Sequence, residues 1–259
     1  MDLLVAYGSD PAGRNMAEHL AQDMPYRDGV YRGDAYDLAI LETPAISADW
    51  LESEFQYDGY VFLSKHAAES GRLALTCHST GNFSGEAAFG GSPRQVAVPY
   101  PSLQKEYMRA LWGRRDSFGD FDITLEATHH GPTALSVRTI FVEVGTTPEQ
   151  WNDTGLCESV ADTLADSMGR PARRHPVAVC FGGTHYPKKF TRETIHGEYA
   201  LGSIVPAHAL EWVDDSMLSH ILERNAGASA ALLDWDVMGP HRRRILEMLE
   251  GTDLEVVRL

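Results

Sequence analysis

Short, continuous apolar runs, each ending in a polar or glycine-bearing junction, constrain this chain more than any other feature. The first is Leu3-Leu4-Val5-Ala6-Tyr7, and an uninterrupted run this short fits a strand buried on both faces. Asp10 is then placed to cap a helix, with Pro11 suited to its first turn. Met16, Leu20 and Met24 recur at spacing four, which predicts a helix from Pro11 to about Met24. Further strands are expected over 37–41, 60–63, 73–77, 121–127, 137–144 and 177–181, with helices over 102–112 and 148–168. The remainder reads as helix 214–225, strand 230–234, helix 240–250 and strand 254–257. Alternating strands and helices predict an α/β fold, with a mostly parallel sheet covered on both faces. No repeat, low-complexity block or linker interrupts the pattern, so residues 1–259 are expected to form a single domain.

Composition narrows the partners. Asp and Glu number 37 against 22 Lys and Arg, a net charge of −15, and only Lys65, Lys105, Lys188 and Lys189 are lysines. Acidity with so few lysines suits a salt-rich cytosol, so a halophilic source is expected. It argues against general nucleic-acid binding, DNA included, because phosphate binding runs on counterion release by Lys and Arg. A local basic site is still compatible with it. A hydrophobic content of 43% excludes a disordered chain. Cys77, Cys157 and Cys180 lack metal or redox spacing and read as reduced core residues of an intracellular protein. The N-terminus lacks a basic leader, and no run approaches the ~20 apolar residues of a membrane span. A cytoplasmic protein with no membrane partner is expected, as a monomer.

The 11 histidines are placed more tellingly than they are numerous. His66 follows the strand at 60–63, His78 follows 73–77, His129 and His130 follow 121–127, and His185 follows 177–181. Ligands of open α/β sheets bind beyond the carboxyl ends of the strands, so these four junctions are expected to aim imidazoles into one cleft. His19, His175, His220 and His241 fall in helices or ordinary loops and are set aside. Glu126 and Glu143 lie near strand ends, and imidazole plus carboxylate is a ligand set for zinc with an open position. His129, His185 and Glu143 lead as ligands, with His78 and His130 next. The metal-free alternative has one histidine as general base, held by a carboxylate, and a glycine-rich loop supplying N–H groups to an oxyanion. Ser64, Ser79 and Thr80 lie in no GxSxG elbow, so covalent catalysis is less favoured. No GxGxxG or GxxxxGK[ST] occurs to suggest a nucleotide cofactor. Residues 79–101 form a long Gly, Ser and Pro-rich stretch of functional type. Lys188 and Lys189, immediately after His185, suggest a phosphate contact.

The blocks around these junctions carry a resemblance. Ser64 through Gly71, Leu75-Thr76-Cys77-His78-Ser79-Thr80-Gly81-Asn82-Phe83 and Thr128-His129-His130-Gly131-Pro132-Thr133 resemble the archaeal and plant-type D-aminoacyl-tRNA deacylases. So do Phe141 through Thr147 with Trp151, and Gly182-Gly183-Thr184-His185-Tyr186-Pro187-Lys188, in the same order along the chain. The resemblance implies a zinc-dependent hydrolase of the ester between a D-amino acid and the tRNA 3′ end. It also implies a three-layer α/β/α fold related to phosphorylases and peptidyl-tRNA hydrolases. From their places at the strand junctions, His66, His78 and His130 are expected to act in catalysis, with His66 as acid or base toward the leaving 3′-oxygen. Substrate contacts are expected from Lys65, Thr80, Gly81, Asn82, Phe83, Gly182, Gly183, Tyr186 and Lys188. A crowded glycine-rich wall is expected to exclude the L-isomer. The rival readings are a zinc peptidase or amidohydrolase of related fold, and a tRNA 3′-end binding protein without catalysis.

Overall fold

The computed structural model describes residues 1–169 and 173–259. Its strands, in chain order, are β1 (Asp2–Tyr7), β2 (Tyr26–Arg27), β3 (Val30–Tyr31), β4 (Tyr36–Leu41), β5 (Gly59–Ala67), β6 (Ala74–His78) and β7 (Gly81–Asn82). There follow β8 (Gln95–Val96), β9 (Asp122–Leu125), β10 (Arg138–Thr146), β11 (Val177–Gly182), β12 (Ala200–Val205), β13 (Ala228–Asp234) and β14 (Glu255–Arg258). The α-helices are α1 (Pro11–Leu20), α2 (Leu51–Glu54), α3 (Pro101–Gly113), α4 (Pro148–Trp151), α5 (Thr154–Met168), α6 (Lys188–His196), α7 (Asp215–Arg224) and α8 (Arg242–Leu249).

The class is α/β, with mixed but mostly parallel sheets and helices on both sides. An eight-stranded sheet runs β2-β3-β4-β1-β5-β10-β6-β9, and a four-stranded parallel sheet runs β12-β11-β13-β14. One apolar cluster draws on both, joining Leu4, Leu63 and Val142 of the large sheet to Cys180, Ile204 and Leu232 of the small one. A second cluster covers the outer face of the small sheet, and a third packs Ala45, Ala48 and Leu51 against the opposite face of the large one. No helix among the described residues is long and apolar enough to cross a membrane.

Local chemistry sets the boundaries. Asp10 caps α1 by accepting from Gly13 N at 2.9 Å, and the helix stops at Leu20 rather than at Met24. The helix expected over 148–168 is broken at Asn152, and Asp153 starts a new one by accepting from Leu156 N at 3.0 Å. Helix α6 and strand β12 were not expected. Only Phe190 and Ile195 give α6 an apolar face, so its period is faint. Lys105 anchors this region from within: its buried ammonium donates to the carbonyls of Thr194, Gly197 and Tyr199 at 2.9, 3.0 and 2.8 Å. Burial pulls its pKa down to about 8, and those carbonyl contacts replace the water it has lost.

The register matters most for function. β1, β4, β5 and β10 are mutually parallel, but β6 runs antiparallel to β10, and β9 follows β6. The carboxyl ends of β6 and β9 therefore do not lie at the same sheet edge as that of β5. Five histidines still meet, for reasons of pleat and loop path that differ from the common-edge expectation.

Candidate hydrolytic site

The site begins on one face of three adjacent strands. In register, Gly145 of β10 lies beside His66 of β5, Glu143 lies between Ser64 and Thr76, and Phe141 lies between Phe62 and His78. Residues two apart along a strand share a face, so His66, Glu143 and His78 stand on the same side in a diagonal row. The stacked rings of Phe62 and Phe141 close its buried end, with centroids 4.7 Å apart. A Cβ on Gly145 would lie 2.7 Å from His66 Cβ and Cδ2, so only glycine lets the imidazole lie against β10. Trp151 Nε1 donates to the His66 carbonyl at 2.9 Å and fixes the strand end.

The other half of the site arrives on loops. Residues 127–129 thread between the sheets: Ala127 N donates to His185 O at 2.8 Å, Thr128 N donates to Ile204 O at 3.0 Å, and His129 bridges Thr80. This brings Glu126, His129 and His130 over the face that carries His66 and His78. His130 is forced to a left-handed φ of 44°, uncommon outside glycine and a mark of strain at a functional position.

Three imidazoles converge with the same orientation. His78, His129 and His130 each direct Nδ1 at a backbone carbonyl, of Ser79 (3.0 Å), Ala127 (2.8 Å) and Gly131 (2.7 Å). With Nδ1 donating, Nε2 of His129 and of His130 is left as a lone-pair donor, the arrangement that orients metal-bound histidines, while Glu143 Oε1 lies 3.7 Å from His78 Nε2 and raises the pKa of that ring against its burial. One ligand atom from each falls within 4.8 Å of the others. His78 Nε2 is buried without a hydrogen-bond partner. An orphaned buried imidazole nitrogen fits a cation. A second group shares His129: Glu126 Oε2 lies 2.8 Å from His185 Nε2 and 3.7 Å from His129 Nε2. His66 forms a third with Glu126 and Glu143, its Nδ1 at 3.0 Å and 3.4 Å from their carboxylates. Glu143 thus does not join His129 and His185. Its position within β10 points it at His66 and His78, and Glu126, just past β9, reaches the loop histidines instead.

Electrostatics separate the roles. Burial disfavours a charged His66, but Glu126 and Glu143 outweigh it and push its pKa up to about 10. Burial likewise opposes ionised carboxylates, yet His66 and His78 bring Glu143 down to about 2, and His185 and His66 hold Glu126 well below its usual range. His129 and His130 go the other way. Burial and the neighbouring His78 hold His129 well below the ordinary imidazole value and His130 at about 4, so both are neutral and available as ligands.

The remaining expected residues divide. Lys65 lines the cavity with His66, and its Nζ stands 4.9 Å over the Trp151 ring. Thr80 is fully buried and donates to the Pro132 carbonyl, and Phe83 is buried. Gly81 donates to the carbonyls of both His129 and His130, at 3.2 and 2.8 Å, so it holds the histidine loop. Asn82 and Phe83 border the cavity that reaches His129, His130 and His185. Gly182 and Gly183 shape the turn after β11 at φ of 101° and 80°. Tyr186 reaches the centre, its hydroxyl 2.9 Å from His66 Nε2. Lys188 does not: it lines a separate cavity, and Lys189 is spent on Asp234 and Asp236 at 3.0 and 2.8 Å. Sequence reasoning missed Asp10, whose Oδ2 accepts from Lys65 N at 3.1 Å, and His208, which shares a cavity with three of the histidines. The helix-cap signal found Asp10 but could not reveal its second partner. Three of the four set-aside histidines are structural: His19 meets Asp162 at 2.8 Å, His175 meets Glu106 at 2.9 Å, and His220 accepts from Val96 N at 3.0 Å.

Fold and site together define an α/β protein with a buried histidine–glutamate centre suited to hydrolysis, whether metal-assisted or by proton transfer. A family model described as D-aminoacyl-tRNA deacylase matches residues 53–257. The chain belongs to the D-aminoacyl-tRNA deacylase family. It is 60% identical to a D-aminoacyl-tRNA deacylase of Cenarchaeum symbiosum over 257 residues, 99% of each chain. It is 34% identical to one from Ignicoccus hospitalis, over 98% of each chain. The crystal structure of a conserved protein of unknown function superposes with a TM-score of 0.94 at 30% identity, covering 100% of this chain and 95% of the other.

Proposed function

We propose that this chain hydrolyses the ester of D-aminoacyl-tRNA, releasing the free D-amino acid and tRNA. The observation that carries this reading is the meeting of four histidines and two glutamates at one cavity, with the buried His78 ring against His129, in a chain of this family. His78, His129 and His130 would hold the metal, the cation taking the place of the proton that Glu143 favours on His78, whereas His185 Nε2 lies 2.8 Å from Glu126 Oε2. Zinc held there would supply Lewis acidity toward water and the ester carbonyl. His66 is protonated at neutral pH and donates from Nε2 to the Tyr186 oxygen, while the phenolic proton passes to the departing 3′-oxygen. Glu126 and Glu143 hold the imidazolium in place through Nδ1. Glu126 also orients His185, which faces the same cavity as an acceptor for the proton of the attacking water. Ile46 and Phe89 line the cavity, and the backbone behind them is tightly packed: a Cβ on Gly131 would lie 2.2 Å from Gly91 N, and one on Gly90 would lie 2.0 Å from Ile46 O. A wall backed in this way would reject an L-side chain projected at it. The chain acts as one domain, cytoplasmic and monomeric, in a salt-rich interior.

The test is to charge tRNA with D-tyrosine or D-aspartate, add the folded protein in high salt and follow release of the amino acid. Release above the spontaneous rate is expected, and its absence overturns the reading in favour of a binding protein. Equal activity on D-aminoacyl amides lacking tRNA would point instead to an amidohydrolase. Removing metal by chelation is expected to abolish release, and zinc to restore it. Full activity in demonstrably metal-free protein would leave the general-base route.

A further inference from the structure

A second cavity lies across Tyr186 from the histidines, between β6, β9 and α6, with Trp112 at its mouth and a volume of about 500 Å³. Its floor is apolar, made by Ala74, Ile123 and Ile195, whereas Arg72, Lys188 and Arg192 line it against one carboxylate, Asp122. Asp122 is already paired with Arg72. Lys188 and Arg192 are exposed, stand four residues apart on α6, and have no carboxylate partner among the described residues. On a chain of net charge −15, two uncommitted cations over an apolar recess mark a site for an anion with an apolar, planar body.

The charges of the substrate's two ends decide which end this is. An aminoacyl ester has lost its carboxylate and keeps its ammonium, so the amino acid is cationic and is repelled by Lys188 and Arg192. It is matched instead by the cavity on the other side, where Asp10, Glu126 and Glu143 outnumber Lys65 and the His66 imidazolium. The nucleotide is the anionic end. Tyr186 joins the two spaces, since its side chain lines the second cavity while its hydroxyl touches His66.

We propose that this cavity binds the terminal adenosine 5′-phosphate of the tRNA. The base lies on the Ala74–Ile123–Ile195 floor against Trp112, and the phosphate is held by Lys188 and Arg192. The proposal rests on the deacylase reading, which requires a nucleotide on one side of Tyr186 and its ester on the other.

Adenosine 5′-monophosphate is titrated into wild-type protein and into the Lys188→Ala/Arg192→Ala double variant, followed by calorimetry, with adenosine as the phosphate-free control. Wild type is expected to bind the monophosphate more tightly than adenosine. The double variant is expected to lose about tenfold or more in affinity for the monophosphate, with a matching rise in KM for D-aminoacyl-tRNA and little change in kcat. Trp112→Ala is expected to weaken both ligands by about tenfold. No binding of the monophosphate, or equal binding by the double variant, overturns the proposal. So does a double variant that changes only the ranking among D-amino acids, since the cavity would then hold the side chain. Binding is read without turnover, so loss of the deacylase reading and loss of this site give different results.

Discussion

At the scale of single residues, the site depends on what each side chain has already committed. His129 belongs to two of the three convergent groups, whereas His220 only receives a backbone N–H. His129→Ala is expected to lower turnover at least about 100-fold and to abolish zinc binding, while His220→Ala stays within a few-fold of wild type. Equal effects in a deacylation assay would discredit that separation. Gly145 works by omission. Gly145→Ala would press a methyl group into His66, and the expected cost is about 1–3 kcal/mol of stability together with a larger loss in kcat than in KM. Chemical denaturation and steady-state kinetics on one variant check both. The histidine junctions were legible in the sequence because residue type and position after an apolar run are local facts. The partition of Glu126 and Glu143 was not, because which carboxylate meets which imidazole depends on strand order, and β6 lies between β9 and β10.

Among elements, the long buried strands and capped helices were readable, since continuous apolar runs and Asp-Pro starts carry their own signal. Helix α6 was not, because its burial is supplied by partners remote in sequence, such as Thr124 and Leu125 against Thr191. Strand β4 shows how one carboxylate joins pieces of this kind. Asp37 accepts from Gly33 N at 3.0 Å, Arg32 Nη1 at 2.7 Å and the Tyr57 hydroxyl at 2.6 Å. Burial works against its charge, but these donors win and hold its pKa below the usual 3.8. A carboxyl group depressed in the folded state contributes stability above its unfolded pKa, and that contribution disappears as pH falls through the folded value. Asp37→Asn is therefore expected to cost about 1–2 kcal/mol at neutral pH and to make the decline in stability below pH ~4 shallower. Denaturant melts of both proteins from pH 7 to pH 3 measure it, and parallel curves would refute it.

For the whole molecule, acidity and centre are compatible because the cations are local. Lys65 lines one cavity beside the histidines and Lys188 and Arg192 line the other, which leaves room for a local anion contact on an acidic chain. The α/β class could be read from alternation alone, but the split into two sheets could not, because nothing in a strand's own sequence says which neighbour it will pair with. That split has a consequence for how the protein fails. The link from Ala127 N to His185 O and the one from Thr128 N to Ile204 O are made between segments that belong to different sheets. The centre is therefore a gauge of how the two halves seat against each other. A slip of a few ångströms would pull His185 from Glu126 while leaving every strand and helix intact. On heating, catalytic activity and zinc should be lost several degrees before the far-ultraviolet circular dichroism changes, and coincident transitions would show that the halves never part before they melt.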